Sequence, residues 1–434
     1  MNKVNTVNTV NTDFNPTYEE IVNSIGTPAY VFNLDVIKNR LVYIKERLNT
    51  GSRPVDICYA MKANPFVVGA IDEHTDHYEV CSPGEFKICE RAGADIGKVV
   101  LSGVFKEEED TTRIIAEYGN KILYTAESEN QFKLVNREAE SCGIVVDIIL
   151  RITTGNQFGM DESVLRRLIA DREKYKGLNI LGIQHFSGTQ RHNMNIYREE
   201  LEYCDSLIES LKEDYGFETQ LLEFGTGFYF EYFRERPEKI AKDAAKGKAK
   251  EPFNEDQLLT DFAKLLEDMR YQGKVTLEIG RFIAASCGRY YTSVVDEKVN
   301  NGKHFCIADG GMHQVNYFGQ MMAMKLPYYR QHKKDGRVYD GDADCNERIN
   351  LCGALCTIND NLVKDMPVAF PEKGDIFEFM NTGAYSMTET PALFLSRDIP
   401  RVWLYSREQG FVLMRESFET NVLNGGSPIA IDEK

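Results

Sequence analysis

Lys62, Glu278 and Arg281 each close or follow a short apolar run, and together they outline one kind of chemistry. Lys62 follows "RPVDICYAM" and precedes the turn signal Asn64-Pro65. A lysine ending a buried strand is costly, because burial disfavours its ammonium. By itself it reads as a snorkelling strand-end lysine. In carbonyl chemistry it reads as a Schiff-base lysine with a lowered pKa. Glu278 and Arg281 end "LEIGRF" (277–282). They form either a local ion pair, or a partner for a protonated ring nitrogen and a fork for a phosphate. In "EFGTGF" (223–228), Gly225, Thr226 and Gly227 form either a plain turn or a set of amides facing a phosphate. "HFSGTQ" (185–190) adds an imidazole, hydroxyls and an amide. A lysine for an aldehyde, donors for a phosphate and an acid for a pyridinium describe pyridoxal 5'-phosphate.

These stretches end candidate strands in an alternating β and α series. The strands are "VDICYAM", "HYEVCS", "KVVLSG", "KILYTA", "VVDIILRI", "ILGIQHFSG", "LLEFGTG" and "KVTLEIG". Helical patterns such as "PGEFKICERAG" separate them. The series predicts a (β/α)8 TIM-like barrel over 46–287, with its site at the C-terminal strand ends. From 288 to 434, strands follow one another without long helices, which predicts a C-terminal, mainly β domain. The strand and helix of 27–45 are expected to join that domain. Residues 1–12, with "VNT" repeated, are expected to be disordered. The charge-rich stretch 235–257 reads as a solvated surface insertion, and 331–346 as a loop.

Composition narrows the function. A net charge of −16 argues against nucleic acid. No apolar run is long enough to span a bilayer and no signal sequence is evident, so no membrane partner is expected. Ten cysteines in such a chain predict reduced thiols in a cytoplasm. Their spacing makes no zinc pattern: Cys352 and Cys356 lack two further ligands, and no metal is expected.

Seven stretches in order resemble the pyridoxal-phosphate-dependent decarboxylases of the alanine racemase-like barrel class, which include diaminopimelate, ornithine and arginine decarboxylases. "GTPAYVFNLDVI" resembles their N-terminal strand, "YAMKANP" their lysine motif, and "EVCSPGEF" their "DVVSGGE". "GTGF", "EIGR", "GALCTIND" (353–360) and "TGAYSM" (382–387) are similar to their phosphate loop, "EPGR", "GPxCxSxD" and "GAY". The resemblance implies that Lys62 carries the cofactor, with Glu79 as the acid near it, and that Glu278 partners the ring nitrogen. It implies that Arg281, Thr189, the amides of Gly225 to Gly227 and Tyr385 hold the phosphate, with Gly188 beside them. His185 would stack on the ring. Cys356 would arrive from the partner subunit of a homodimer with shared active sites and deliver a proton, while Asp360 shapes the substrate pocket.

The substrate is expected to be diaminopimelate, a basic amino acid, or a modified or carrier-tethered amino acid. Thr357 follows Cys356 where diaminopimelate decarboxylases carry an acid, and "DGGMHQVNYFGQ" (309–320) lacks their arginine, for which Lys325 or Arg330 could substitute. "DGGMH…NYFGQ", "SGTQ" and "GAYSMTETPALFLS" look more like the branch found in biosynthetic clusters. A racemase and a catalytically inactive regulator are the alternatives. "GALCTIND" and "EIGR" side with decarboxylases, and the presence of Lys62, Glu278, Arg281 and Cys356 argues against an inactive protein.

Overall fold

A computed structural model describes residues 14–248, 251–317, 324–341 and 345–426. The "VNT" repeats of 1–12 lie outside them. The chain forms two compact units.

The first unit is a closed parallel barrel of eight strands among the described residues. In chain order, β1 (Ala29–Asn33) lies outside it. It is built from β2 (Val55–Ala60), β3 (His77–Val80), β4 (Val99–Leu101), β5 (Leu123–Ala126), β6 (Val146–Arg151), β7 (Leu178–Phe186), β8 (Leu221–Gly225) and β10 (Lys274–Ile279). β9 (Phe233–Arg234) belongs elsewhere. All eight predicted strands are present. They are short and apolar because helices cover their outer faces and side chains fill the interior. The helices carry their own start signals. Ser82 accepts from the Glu85 amide ahead of Pro83–Ala92, and Gly93 ends that helix at φ 68°. Helix Leu34–Leu48, expected with the β domain, lies with the barrel from Ile37 onward. Its charged face explains this: Arg40 pairs with Glu255 and donates to the Phe282 carbonyl, and Lys45 lies 2.6 Å from Asp76.

The second unit is mainly β. It contains β11 (Gly288–Asn300), β12 (Lys303–Ala308), β13 (Leu326–Pro327), β14 (Tyr329–His332), β15 (Val338–Asp340), β16 (Glu347–Cys352), β17 (Asn361–Val368), β18 (Ile376–Met380), β19 (Arg401–Ser406) and β20 (Gly410–Arg415). β1 enters this sheet between β11 and β19. Residues 14–25 fold over it, and Phe14, Ile21, Ile25, Ala29, Val31, Tyr291 and Ile376 form one core cluster. Two expectations need correction. The stretch read as a loop from 331 starts as a hairpin, β14–β15, closed by a turn at 333–337. The 235–257 insertion contains the exposed helix Pro237–Ala245, yet it is tied to β17: Arg236 donates to the Lys364 and Asp365 carbonyls, at 2.7 Å each. Among the described residues no helix is long and apolar enough to cross a membrane, and no disulfide joins the described cysteines.

Candidate active site

β2 delivers Lys62 to the open end of the barrel. The strand runs into the single helical turn Met61–Ala63, whose flanking Met61 and Ala63 are buried. The Tyr59 hydroxyl holds the Asn64 carbonyl at 3.1 Å, and the Asn64 side chain accepts from the Phe66 amide, so the turn is pinned just past the lysine. Lys62 Nζ lies 2.7 Å from Glu79 Oε2 and 3.8 Å from Cys81 Sγ. Glu79 sits one strand over, on β3, and is 3% exposed. Burial pushes its carboxyl up, but the Lys62 ammonium outweighs burial and the net direction is down. The ion pair is what makes a strand-end lysine tolerable here.

The acid wall lies across β7, β8 and β10. Glu278 is buried and accepts a hydrogen bond from the Gln184 side chain. Burial, followed by the nearby Glu79 charge, raises its pKa. Glu223, on β8, was not singled out from the sequence. It is wholly buried and lies beside Glu278. Burial and then the Glu278 charge push it well above the carboxylate range. Three further charged residues were also missed. Arg151 and Glu127, both buried, pair at 3.0 Å. Lys106, also buried, donates to the Leu101 and Ser102 carbonyls at 3.1 and 2.8 Å, and burial lowers it to about 8. The only sequence signal for these groups is a charge set inside or just after an apolar strand.

β7 departs from expectation. Gln184 faces the barrel interior, so His185, its neighbour, faces out. The His185 ring stacks on Phe224 at 5.7 Å, lies 5.9 Å from the Tyr203 ring and has Glu200 at 3.9 Å; Tyr203 and Glu200 belong to the covering helix Met194–Tyr215. Burial lowers its pKa. The ring on the interior face is that of Phe186. It lies against Gly225, where an added Cβ would come within 2.4 Å of it, and the Arg151 guanidinium is 6.0 Å from its centre.

The loops after β7 and β8 meet backbone to backbone. Gly227 has φ 55°, and a Cβ there would lie 1.9 Å from the Gly188 carbonyl oxygen, so only glycine fits. Arg191 ties the pair together: it forks onto Glu200 at 2.6 and 2.7 Å and donates to the Gly225 and Thr226 carbonyls. Ser187 bonds to the same Arg191 and Glu200. Thr226 is buried, with its amide 3.3 Å and its hydroxyl 3.4 Å from the Glu278 carbonyl. Neither Ser187 nor Thr226 is therefore set up as a phosphate donor. Exposed Thr189 and the glycines 188 and 227 form the open rim, and Arg281, 6% exposed, starts the helix after β10.

The β unit carries the other predicted residues. Cys356 is exposed in the 353–360 loop, with Thr357 half-buried and Ile358 91% exposed beside it. Asp360 is buried, and its two oxygens accept the Met312 and Leu355 amides at 2.7 Å each. Its carboxylate thereby pins the Cys356 loop. Tyr385 sits at φ 63°, a left-handed backbone that costs a side-chain-bearing residue about 1–2 kcal/mol.

The barrel residues fit pyridoxal phosphate: a paired lysine, a buried carboxyl whose charge a pyridinium would stabilise, an interior aromatic ring and a glycine cradle beside a buried arginine. The family model for "Pyridoxal-dependent decarboxylase, pyridoxal binding domain" matches residues 34–285. The chain belongs to this family. Its cofactor is pyridoxal phosphate and its reaction is amino-acid decarboxylation. This decarboxylase is 26% identical over 412 residues to the L-glutamyl-[BtrI acyl-carrier protein] decarboxylase of Niallia circulans, covering 90% of this chain and 91% of that one. It is 27% identical over 386 residues to the diaminopimelate decarboxylase of Aquifex aeolicus, covering 85% and 84%. Its fold matches the diaminopimelate decarboxylase of M. jannaschii, solved with L-lysine, at a TM-score of 0.79 and 20% identity, covering 94% of each chain.

Proposed function

We propose that this decarboxylase removes the α-carboxylate of a modified or carrier-tethered amino acid, in a site where Lys62 carries the cofactor. The observation that carries this reading is the Lys62–Glu79 pair at 2.7 Å on the same barrel end as buried Glu278. Bound pyridoxal phosphate supplies the electron sink for the pair left by departing carbon dioxide. Glu79 holds Lys62 in place and keeps its amine beside the substrate's α-carbon. Glu278 holds a proton at the ring nitrogen, and burial beside Glu278 opposes a second negative charge on Glu223. Phe186 covers one ring face. Thr189, the glycines 188 and 227, Arg281 and Tyr385 take the phosphate. Cys356 comes from the partner of a homodimer and delivers a proton to the α-carbon. The exposed Cys356–Ile358 loop supports that assembly, as do the exposed apolar side chains of Leu393 to Leu395 and of Val412 to Met414. Ten cysteines with no disulfide among the described residues support a cytoplasmic setting.

Thr357 in place of an acid, and the carrier-protein decarboxylase among the relatives, favour a substrate without a free distal ammonium. Diaminopimelate is the second reading, supported by the Aquifex relative. Carbon dioxide release separates them: glutamate tethered to a carrier through its side-chain carboxyl, with the α-carboxylate free, should turn over faster than free diaminopimelate, ornithine, lysine and arginine. Preference for free diaminopimelate would overturn the first reading in favour of the second.

A further inference from the structure

A cluster in the β unit is left unused by decarboxylation. β11 and β12 run antiparallel, with Glu297 opposite Cys306 and Val299 opposite His304. Residues two apart on a strand share a face, so Glu297, His304 and Cys306 stand together. β16 lies along the other edge of β12, with His304 opposite Ile349, which puts Glu347 on the same face. Ligand atoms of Glu297, His304 and Cys306 lie within 4.8 Å of one another. His304 Nε2 is 3.1 Å from Glu297 and Nδ1 is 3.4 Å from Glu347. Cys306 is wholly buried, and its thiol makes no hydrogen bond with any described residue.

We propose that Glu297, His304 and Cys306 bind a zinc ion. Sulfur, imidazole and a single carboxylate suit zinc, whereas magnesium and calcium take oxygen ligands. Zinc bonds of about 2.0–2.3 Å require the ligand atoms to draw slightly closer. The exposed Glu297 side chain has the freedom to rotate inward. Nε2 faces the metal, while Nδ1–H donates to Glu347, the carboxylate-behind-histidine arrangement that fixes a ligand's tautomer and orientation. Three protein ligands leave a fourth position for water. Binding converts the Cys306 thiol to a thiolate and releases its proton to solvent, so uptake strengthens as pH rises. No spacing motif announces the site, and the sequence expectation of no metal missed it: 297, 304, 306 and 347 meet only through strand register. The competing occupant is a proton, with charged His304 bridging the two glutamates.

The test is equilibrium dialysis of the holoprotein against chelator-buffered zinc, with elemental analysis. Wild type should take up one zinc that His304→Ala and Cys306→Ser lose or bind at least tenfold more weakly. Glu347→Gln should weaken uptake about tenfold, the usual effect of removing an orienting partner. Pyridoxal phosphate content should stay unchanged in all three. Cobalt should give intense visible bands of a tetrahedral site, at longer wavelength than cofactor absorbance, and Cys306→Ser should abolish them. Should Cys306→Ser fail to fold, His304→Ala and Glu347→Gln carry the test. Equal zinc uptake by wild type and His304→Ala, or no stoichiometric uptake by wild type, overturns the site and leaves the protonated histidine.

Discussion

Truncating Phe186 should weaken cofactor binding, and truncating His185 should not. Phe186 is the interior ring on β7, beside Gly225 and Arg151, whereas His185 is turned into the helical shell against Phe224 and Tyr203. An aromatic stacking contact is worth roughly 0.5–1.5 kcal/mol beyond its buried area. At about 1.4 kcal/mol per tenfold, Phe186→Ala should therefore raise the pyridoxal phosphate Kd about two- to twelvefold, and loss of buried ring area adds to this. His185→Ala instead leaves a hole between barrel and helix. It should lower unfolding stability by roughly 1–3 kcal/mol and leave the Kd within about twofold. Fluorescence titration of the cofactor-free protein gives both Kd values, and urea unfolding gives the stabilities. If His185→Ala loses cofactor affinity and Phe186→Ala keeps it, His185 and not Phe186 faces the barrel interior.

Glu278→Gln should keep the cofactor but slow decarboxylation by about 10²-fold, because an amide cannot hold the ring-nitrogen proton; single-turnover carbon dioxide release would show it, and unchanged turnover removes Glu278 from the role. Inactive Lys62→Ala and Cys356→Ala homodimers, mixed and allowed to exchange, should recover about a quarter of wild-type activity if sites are shared across a two-fold interface; no recovery despite proven exchange means both residues serve one chain's site. Buried Lys106 titrates near 8 in the fold and near 10.5 unfolded, so between those values the unfolded chain binds more protons and stability rises with pH, by up to roughly 3 kcal/mol. Urea midpoints should show wild type gaining on Lys106→Met from pH 8 to 10.5, and a flat difference would contradict the burial of its charge.

The eight barrel strands were legible because each is a short apolar run with a helical pattern after it. Lys62, Glu278 and Arg281 were legible because charge at the end of such a run is conspicuous. The same double-sided burial hid the rest. In a strand apolar on both faces the two-residue alternation carries no signal, so nothing in "GIQHFSG" says whether His185 or Phe186 faces inward. Glu223 hid inside "LLEFGTG" as a residue of the turn motif, although its burial and the Glu278 charge together raise it. The resemblance gave Asp360 a part in shaping the pocket; its bonds to the Met312 and Leu355 amides, which tie distant loops, carry no local sequence signal. The attachment of 235–257 to β17 depends on Arg236 reaching residues about 130 positions away, which local pattern cannot reveal.

The most direct test of the central claim is borohydride reduction of the holoprotein followed by peptide mass mapping. Two lysines compete on physical grounds: Lys62, paired with Glu79 at the barrel mouth, and Lys106, buried and already lowered to about 8. Lys62 is reachable, with its side chain 45% exposed, whereas Lys106 spends its donors on two backbone carbonyls. A single pyridoxyl mass addition is expected on the peptide containing Lys62, with bleaching of the visible-edge absorbance. A pyridoxyl group on Lys106, or reduction that marks no lysine, would contradict it.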